Sequence, residues 1–429
     1  MSEIKQKYKV GGSGAVFVLI ILFLLYILNF ADRAIVAIVL QPMKEALQLT
    51  DAQAGAMQSI FLLGAGLLMI PGAIFVERWS RRKMLGIMAL IWSLATFATG
   101  LGTKFWHIMS ARFVVGIGEA GYNPGGTAWL SLAFSKKVRG RILGLFQSAT
   151  QVGMALGLII GGLIVTQTGD WRMPFYIFAI PGIILGIITF FLPDYATVRE
   201  KGEAVFNKKF FSEVLGLFKI KTYSMNIIAQ CLFAFISMTI LGWLPALLMR
   251  AYNIDAFQAG TINGLTSLIV LIGAPLGGFL GDRWQAKKHG GRAYFMVVAM
   301  LAYAISATLM ILSTNYSLTI YIVMASLASF CSALALPGLF AIWTDVLSPK
   351  HRTTGIGMGT MISLVLGAVP GPFVVGAVSD ALGGGVFGLR SAFLLMMPAA
   401  FIATIMYFVM SRYYPADSAN INDDVMAEK

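Results

Sequence analysis

Long apolar segments make up most of the chain, and short polar connections separate them. A helix that crosses a membrane needs about 20 mostly apolar residues. On that scale the pattern predicts an all-α membrane protein with twelve transmembrane helices and no sizeable domain outside the bilayer. The predicted spans are residues 15–42, 53–76, 84–101, 105–132, 141–166, 172–193, 223–250, 257–280, 292–313, 316–346, 354–380 and 387–411.

The predicted spans fall into two groups of six, and polar landmarks of the first group recur in the second. Glu77-Arg78 after span 2 corresponds to Asp282-Arg283 after span 8, and Pro124 in span 4 corresponds to Pro337 in span 10. Two parallel repeats about an axis along the membrane normal are typical of one large class of transporters. We therefore expect two pseudo-symmetric six-helix bundles, a cytoplasmic linker between them and an acidic, disordered tail. The corresponding ranges are 1–193 and 223–411 for the bundles, 194–222 for the linker and 412–429 for the tail.

Composition and charge narrow the class of protein. The chain has 58% hydrophobic and 12% charged residues, about half the charge of an ordinary soluble domain, which excludes a soluble enzyme. The net charge of +13 would indicate nucleic-acid binding in a soluble protein. Of the 32 Lys and Arg residues, however, 25 fall on alternate connections and in the tails, and the opposite connections carry only Lys44, Lys104, Arg172, Arg250 and Arg390. The positive-inside rule then predicts a cell (inner) membrane protein with both termini in the cytoplasm and no nucleic-acid partner.

Two connections carry a recognisable signature. Residues 73–82 read Ala-x-x-x-Glu-Arg-Trp-Ser-Arg-Arg, and residues 278–283 read Gly-x-x-x-Asp-Arg. Both resemble the Gly-x-x-x-Asp-Arg-x-Gly-Arg-Arg signature of the major facilitator superfamily, and the resemblance extends over nearly the whole chain. It implies alternating access between two bundles and a charge latch at their cytoplasmic ends, for which positive-inside anchoring is the alternative role. The latch candidates are Glu77, Arg78, Arg81, Asp282, Arg283 and Asp345.

Two further segments resemble subgroups of that superfamily. Residues 29–33 read Asn-Phe-Ala-Asp-Arg, and residues 112–122 read Arg-x-x-x-Gly-x-Gly-Glu-Ala-Gly-Tyr. They are similar to signatures of the spinster-like group. The anion:cation symporters, which include the sialin-like and sugar-acid carriers, share the Asp-Arg and Arg…Glu pattern, so both subgroups stay open. Residues 157–162 lack the proline of the Gly-Pro-x-x-Gly-Gly element of proton antiporters, which weakens a drug-antiport interpretation.

Four ionisable residues lie deep within predicted spans, all in the first half: Asp32, Arg33, Arg112 and Glu119. Each such group costs roughly 2.5–3.5 kcal/mol on membrane-insertion scales, so intramembrane charges are candidates for function. Arg112 and Glu119 are two turns apart on one helix face, about 10 Å along the axis, and we expect Gly116 between them to keep that face open. Asp32 and Arg33 are neighbours that point about 100° apart. We therefore expect Asp32 to face an adjacent helix and Arg33 to face the central cavity.

Three interpretations of these charges stay open. In the first, they form two structural ion pairs, Asp32–Arg112 and Arg33–Glu119. In the second, Asp32 and Glu119 couple transport to protons. Burial favours the neutral form of a carboxylate, and a nearby arginine favours its charged form. When the arginine turns to a substrate anion, its carboxylate is therefore free to take a proton. This interpretation needs no cofactor and no metal, because the proton gradient supplies the energy. In the third, the same carboxylates couple transport to sodium.

Arg33 is the candidate anion clamp, because a guanidinium binds a carboxylate or a phosphate through two parallel hydrogen bonds. Arg112 is the second candidate cation, and Tyr26 and Asn29 share a helix face with Arg33. The remaining polar candidates along the substrate pathway are Gln58, Gln147, Gln151, Gln230, Trp243, Asn263 and Thr360. Hydrogen bonding between helices is the ordinary alternative role of such side chains.

These features support two functions. The first is a secondary active transporter that moves a small organic anion, of the carboxylate or sugar-acid type, by alternating access in symport with protons. The second, implied by the spinster-like resemblance, is a proton-coupled exporter of lysolipid-type amphiphiles or hydrophobic drugs. A channel or sensor is disfavoured by the lack of a soluble output domain, and the lack of a P-loop or a nucleophile–base arrangement argues against ATP hydrolysis or another enzyme. The expected partners are the lipid bilayer and a small-molecule substrate, with the protein as a monomer.

Overall fold

Helices form every regular element of the chain that the structure describes. The structure is a computed structural model that describes residues 10–78, 80–195 and 215–427, with side chains in these ranges except 73–78 and 420–427. The first stretch contains α1 Ser13–Leu47, α2 Asp51–Arg78, α3 Arg81–Gly100, α4 Phe105–Glu119, α5 Tyr122–Ala133, α6 Arg139–Thr168 and α7 Met173–Thr189. The second contains α8 Lys221–Tyr252, α9 Ala256–Ser267, α10 Val270–Lys287, α11 Gly291–Ser313, α12 Leu318–Val346, α13 Arg352–Ile362, a π-helix Ser363–Ala368, α14 Pro370–Ala381, α15 Gly385–Met396 and α16 Pro398–Ala427. Most of the predicted linker, residues 196–214, lies outside the described residues.

Ten helical segments of the described chain are long and apolar enough to cross a membrane. They are Ser13–Leu47, Asp51–Gly72, Arg81–Gly100, Arg139–Thr168, Lys221–Tyr252, Ala256–Lys287, Gly291–Ser313, Leu318–Val346, Arg352–Ala381 and Gly385–Ala419. These segments match predicted spans 1–3, 5 and 7–12. Predicted span 6 corresponds to α7, an apolar helix of 17 residues, and predicted span 4 is divided into α4 and α5.

The division of the fourth predicted span follows from its sequence. Proline has no backbone N–H, and its ring clashes with the carbonyl group four residues earlier in a continuous helix. Pro124 therefore lies in the first turn of a new helix, α5, and Gly121 stands at the N-cap of that helix. As a result, Glu119 is the last residue of α4 rather than a residue in the middle of a straight span.

Contacts between helices divide the chain into two compact units. Unit 1 comprises Met1–Gly202, Gly242–Met249 and Asn253–Leu265. Within it α1 packs on α6, α2 on α4, and α3 on both α4 and α7. A Cβ atom added at Gly116 would lie 2.2 Å from the Phe61 carbonyl oxygen, so the backbones of α2 and α4 are in close contact there. The expectation that Gly116 keeps a helix face open is therefore wrong, because that face is filled by α2.

Unit 2 comprises Glu203–Leu241, Arg250–Tyr252 and Thr266–Lys429. Within it α10 and α11 pack on α12, α11 packs on α16, and α14 packs on α15. Gly277 gives the same kind of close approach, because an added Cβ would lie 2.2 Å from the Leu334 carbonyl oxygen. Glycines at helix crossings therefore serve packing in both units.

The helix that corresponds to predicted span 11 contains a π-helical turn, Ser363–Ala368. Its closing hydrogen bond runs from the Val369 amide to the Leu364 carbonyl over 3.0 Å, a step of five residues. Pro370 follows directly, and in a regular α-helix its ring would clash with the carbonyl of residue 366. The wider turn accommodates the proline without ending the helix.

The C-terminal segment differs from the predicted disordered tail, because α16 continues through it to Ala427. Asp417 accepts a hydrogen bond from the Thr222 amide over 2.9 Å, which caps the first turn of α8 with a carboxylate. Ser418 Oγ lies 3.2 Å from His289 Nε2. These contacts give residues 412–419 partners that their polar composition does not reveal.

Candidate functional site

Two ion pairs connect α1 with α4 inside unit 1. Arg112 Nη1 donates to Asp32 Oδ2 over 3.0 Å, and both side chains are almost fully buried, with 2% and 4% exposed. Arg33 Nε donates to Glu119 Oε2 over 2.8 Å, and here the exposure is unequal, with 30% of the arginine and 0% of the glutamate exposed. These are the two pairs that the sequence interpretation proposed. Asp32 is buried and Arg33 is partly exposed, as expected for neighbours that point about 100° apart.

Arg33, the partly exposed arginine, has polar and aromatic contacts besides its ion pair. Its Nη2 donates to Asn29 Oδ1 over 3.3 Å, one helical turn earlier on α1. Its guanidinium carbon lies 4.5 Å from the ring centroid of Phe30 and 5.2 Å from that of Phe61. Arg112 lies over the same Phe61 ring at 4.8 Å. Cation–π contacts of this kind stabilise a desolvated guanidinium, so Phe61 of α2 supports both arginines.

Several polar atoms of the cluster have no hydrogen-bond partner among the residues that the structure describes. They are Asp32 Oδ1, Glu119 Oε1, Arg112 Nε and Asn29 Nδ2, all buried. A buried carboxylate oxygen without a hydrogen-bond donor is costly. The geometry therefore leaves one oxygen of each carboxylate available to a proton or another donor.

An aromatic cluster lies one turn away on α1. The Tyr26 ring stacks on Phe146 at 4.5 Å between centroids and lies 5.8 Å from the Tyr122 ring. Tyr122 donates to the Leu22 carbonyl over 3.0 Å. Tyr26 and Tyr122 are both buried, so these side chains form a packed wall that joins α1, α5 and α6.

The two predicted glutamines of α6, Gln147 and Gln151, differ in their contacts. Gln147 Nε2 donates to Asn123 Oδ1 over 3.1 Å, and Gln147 Oε1 lies 3.5 Å from the Tyr26 hydroxyl. Gln151, one turn later, is half-buried. Asn123 was missed by the sequence reasoning, although it directly follows the Glu119–Tyr122 stretch that carries the family resemblance.

The other polar candidates serve contacts between or within helices. Gln58 donates to the Gly242 carbonyl over 3.1 Å inside unit 1, next to the fully buried Trp243. In unit 2, Gln230 and Asn226 both donate to the Leu339 carbonyl over 3.0 Å. Asn263 and Thr360 donate to carbonyls four residues earlier in their own helices.

The latch candidates belong to the starts and ends of helices in both units. The side chains of Glu77 and Arg78 are outside the described residues, and Arg81 is buried at the start of α3. In unit 2, Asp282 accepts a hydrogen bond from Arg292 Nη2 over 2.6 Å, and Asp345 accepts hydrogen bonds from Arg292 Nη1 and the Tyr414 hydroxyl. Arg283, the cation that the signature singles out, is exposed.

Arg292 is the central cation of this second cluster, and the sequence reasoning counted it only as a positive-inside label. One feature of the sequence points to Arg292 as the counterpart of Arg81. Arg292 opens α11 just after the Asp282-Arg283 connection, at the place where Arg81 opens α3 after Glu77-Arg78.

With this geometry established, we compared the chain with known proteins. The profile of the Major Facilitator Superfamily matches residues 22–288 and 227–425. The chain belongs to the major facilitator superfamily. It is therefore a transporter of multi-pass membrane type rather than an enzyme.

Two curated relatives illustrate the spinster-like character of this transporter. The chain is 26% identical to protein spinster homolog 1 of Xenopus tropicalis over 418 residues, which cover 91% of this chain and 79% of the relative. It is 27% identical to the sphingosine-1-phosphate transporter SPNS2 of the same organism over 383 residues, which cover 83% and 72% of the two chains.

A sugar-acid relative and a solved structure complete the comparison. The chain is 25% identical to a probable L-galactonate transporter of Escherichia coli (strain K12) over 379 residues, which cover 84% of this chain and 82% of the relative. The fold is similar to the crystal structure of a bacterial homolog of the human lysosomal transporter spinster. That likeness has a TM-score of 0.83, 23% identity, and coverage of 95% of this chain and 99% of the other.

Proposed function

We propose that this transporter carries a small organic anion in symport with protons and that Arg33 binds the anion. The observation that carries the proposal is the unequal exposure within one ion pair. The side chain of Arg33 is 30% exposed, which leaves it within reach of a substrate, whereas that of Glu119 is fully buried. A substrate carboxylate or phosphate that approaches Arg33 competes with Glu119 for the same cation.

The competition supplies the coupling. When the anion takes over the guanidinium, Glu119 loses its compensating charge in a buried position, and the neutral carboxyl group becomes the favoured form. Substrate binding and proton binding then favour one another, and each must raise the affinity for the other by the same factor. Positive coupling of this kind moves substrate and proton in the same direction.

Asp32 and Arg112 have a supporting role in this proposal. Both are buried, so a substrate reaches them only after Arg33 has moved or been neutralised. Asp32 is the second proton-coupling carboxylate, because its Oδ1 has no donor among the described residues. Tyr26, Asn29, Gln58, Gln147, Gln151, Gln230 and Trp243 complete the proposed substrate pathway.

The wider architecture is part of the proposal. We infer twelve transmembrane helices in two pseudo-symmetric bundles, with α4–α5 and α7 as the fourth and sixth. The positive-inside distribution supports cytoplasmic termini and a cell (inner) membrane location. We further infer a monomer that uses the proton gradient and no cofactor, with the latch charges around Arg81 and Arg292 controlling the cytoplasmic opening.

The names of the relatives support an anionic substrate. L-Galactonate is a carboxylate and sphingosine-1-phosphate is a phosphate, so the substrates named for both relatives carry the kind of group that a guanidinium binds. An amphiphilic anion is the second candidate substrate. The observation that favours it is the apolar surface beside the clamp, where Phe30 and Phe61 flank Arg33.

The proposal is tested in proteoliposomes with radiolabelled L-galactonate and sphingosine-1-phosphate as probes. The wild-type protein should accumulate at least one probe when a pH gradient, acidic on the substrate side, is imposed. Glu119→Gln should still move that probe down its own gradient and should no longer respond to the pH gradient. Glu45→Gln is the matched control, since Glu45 lies on α1 with Gln41 as its partner and away from the four charges.

Three results would contradict the proposal. The first is uptake by Glu119→Gln that the pH gradient still drives. The second is uptake that requires a sodium gradient and ignores pH. The third is transport of neutral analogues of the probes at the rate of the anions, which would remove the role of Arg33.

A further inference from the structure

An apolar groove lies on the outer surface of unit 1, between α3 and α4, and does not belong to the four-charge site. Its volume is about 650 Å³. Small residues form its floor and large apolar side chains form its walls. The floor is lined by Ala95, Ala98 and Ala111, and the walls are lined by Ile91, Leu94 and Leu101.

The groove is open to the surroundings of the protein. Leu94 and Leu101 are 55% and 60% exposed, so its walls face the hydrocarbon phase of the membrane in which this transporter lies. From residue 91 to residue 101 the helix rises about 15 Å, roughly half of the ~30 Å hydrocarbon thickness. The groove therefore has the length of one leaflet.

Polar and basic groups surround one end of the groove. His107 and Ser110 line it there, and the Thr103 hydroxyl lies 3.3 Å from His107 Nδ1. Lys104, exposed, is the N-cap of α4 and makes no side-chain cap. His107 belongs to the first turn of α4, so the N-terminus of that helix, where an anion is favoured, lies at this end of the groove.

A second cation reaches the same end from α7. Arg172 Nη2 donates over 3.4 Å to the carbonyl of Gly102, which itself lines the groove. Asp170 lies 3.7 Å from Arg172, so two cations and one carboxylate leave a net positive charge. On the twelve-span topology only five cations lie on this side of the membrane, and two of them are at this one mouth.

We propose that the groove binds one acyl chain of an anionic phospholipid from the leaflet that it faces, with the lipid phosphate at Lys104, His107 and Arg172. Apolar walls of one-leaflet length suit the chain, and the positive mouth at interface depth suits the phosphate. The bound lipid fills the gap between α3 and α4, and α4 carries Arg112 and Glu119. The site is thus a structural lipid site, separate from the proposed substrate pathway.

The test measures lipid binding to the purified full-length protein in detergent. Phosphatidylglycerol and phosphatidylcholine of identical acyl composition are titrated, and both the unfolding midpoint and the lipid-bound mass by native mass spectrometry are recorded. We expect phosphatidylglycerol to raise the midpoint more than phosphatidylcholine. Lys104→Gln should weaken the apparent affinity for phosphatidylglycerol roughly tenfold, as loss of one charge-assisted contact predicts.

Matched variants separate the groove from the general surface. Ala98→Phe should fill the floor and abolish the bound lipid, whereas Ile184→Phe, at a 52% exposed position of α7 outside the groove, should not. Arg390→Gln removes a cation of the same side in unit 2 and should leave the lipid effect unchanged. Lys104 is an exposed side chain, so its variant tests the site even if Ala98→Phe fails to fold.

Several outcomes overturn the proposal. Equal stabilisation by the two lipids would show detergent-like, non-specific coating. Lipid binding that survives both Lys104→Gln and Ala98→Phe would place the lipid elsewhere. A dimer in light scattering that Ala98→Phe dissociates would show that a second copy of the chain covers the groove.

Discussion

The carboxylate of Glu119 faces two different environments through its two oxygens. Its Oε2 accepts a hydrogen bond from Arg33 Nε over 2.8 Å, and its Oε1 is buried with no partner in the described part of the chain. In the proposed coupling, a substrate anion displaces Oε2 from Arg33. A proton can bind at Oε1 without breaking the hydrogen bond between Arg33 and Oε2. The two events in the proposed coupling therefore occur at one carboxyl group.

Arg33→Lys should impair transport although it preserves the charge. A lysine offers a point charge and not a planar fork, so it cannot hold Asn29 and Glu119 as Arg33 does and also present two parallel donors to an anion. Loss of one charge-assisted hydrogen bond, about 1.5–3 kcal/mol, corresponds to an apparent substrate affinity roughly 10–100-fold weaker. Concentration-dependent uptake into proteoliposomes measures this, and an unchanged KM would exclude a bidentate role.

Removing only one member of the Asp32–Arg112 pair should destabilise the protein strongly, whereas replacing both with apolar residues should change its stability little. Asp32→Leu leaves a buried, uncompensated Arg112, for which about 3–5 kcal/mol of destabilisation is typical. The double variant Asp32→Leu/Arg112→Met removes both charges and should recover most of that loss. Unfolding midpoints of the three purified proteins check this, with Glu45→Gln as the surface control. A double variant no more stable than the single would show that the two residues act independently.

Two glycines of α6 should respond in opposite ways to the same substitution. A Cβ at Gly153 would lie 2.3 Å from the Ile27 carbonyl oxygen, whereas a Cβ at Gly144 meets nothing within 4 Å. Gly153→Ala should therefore force α1 and α6 apart at a cost of about 1–3 kcal/mol. Gly144→Ala should be neutral or stabilising by up to about 1 kcal/mol, since alanine favours helix. Equal thermal shifts in the two variants would contradict the close packing of α1 on α6.

The two acids around Arg292 should contribute unequally to stability. Asp282 is 70% exposed, and an exposed ion pair contributes at most about 1 kcal/mol. Asp345 is 29% exposed and accepts hydrogen bonds from both Arg292 and Tyr414, so we expect Asp345→Asn to cost roughly 1–3 kcal/mol. Thermal unfolding of Asp282→Asn and Asp345→Asn in parallel gives the comparison, and the reverse order would refute this account of the cluster.

The sequence predicted the charge pairing well because charges in an apolar segment have few possible partners. Two acids and two arginines lie on two predicted helices. Because an unpaired buried charge is strongly destabilising, each acid must pair with an arginine, and few pairings are possible. The same reasoning failed for Gly116, because a glycine between two charges is compatible with an open face and with a filled one. Only the position of α2 decides between them, and a single sequence does not contain that position.

The cluster around Arg292 shows a second limit of prediction from the sequence. The signature drew attention to Arg283, the residue next to the acid, but Arg292 is the cation that reaches both Asp282 and Asp345. Neighbouring residues on a helix point apart, whereas residues on facing helices can meet regardless of their separation in sequence. Contacts with Asn123 and Tyr414 were missed for the same reason, since neither residue is unusual in its local sequence.

The π-helical turn at Ser363–Ala368 sets the rotational register of the helical segment that contains it. The wide turn takes up one residue more than an α-helical turn would. If the same residues formed a regular α-helix, the part of the segment before the turn would rotate by about 100° relative to the part after Pro370. Gly359, which lies against the Trp343 ring, and Gly371, which lies against the Phe235 carbonyl, would then no longer both face their neighbours. Deleting one residue from the turn would let an α-helical pattern replace it with both glycines still in place, so a deletion here is a smaller perturbation than a deletion elsewhere in the segment.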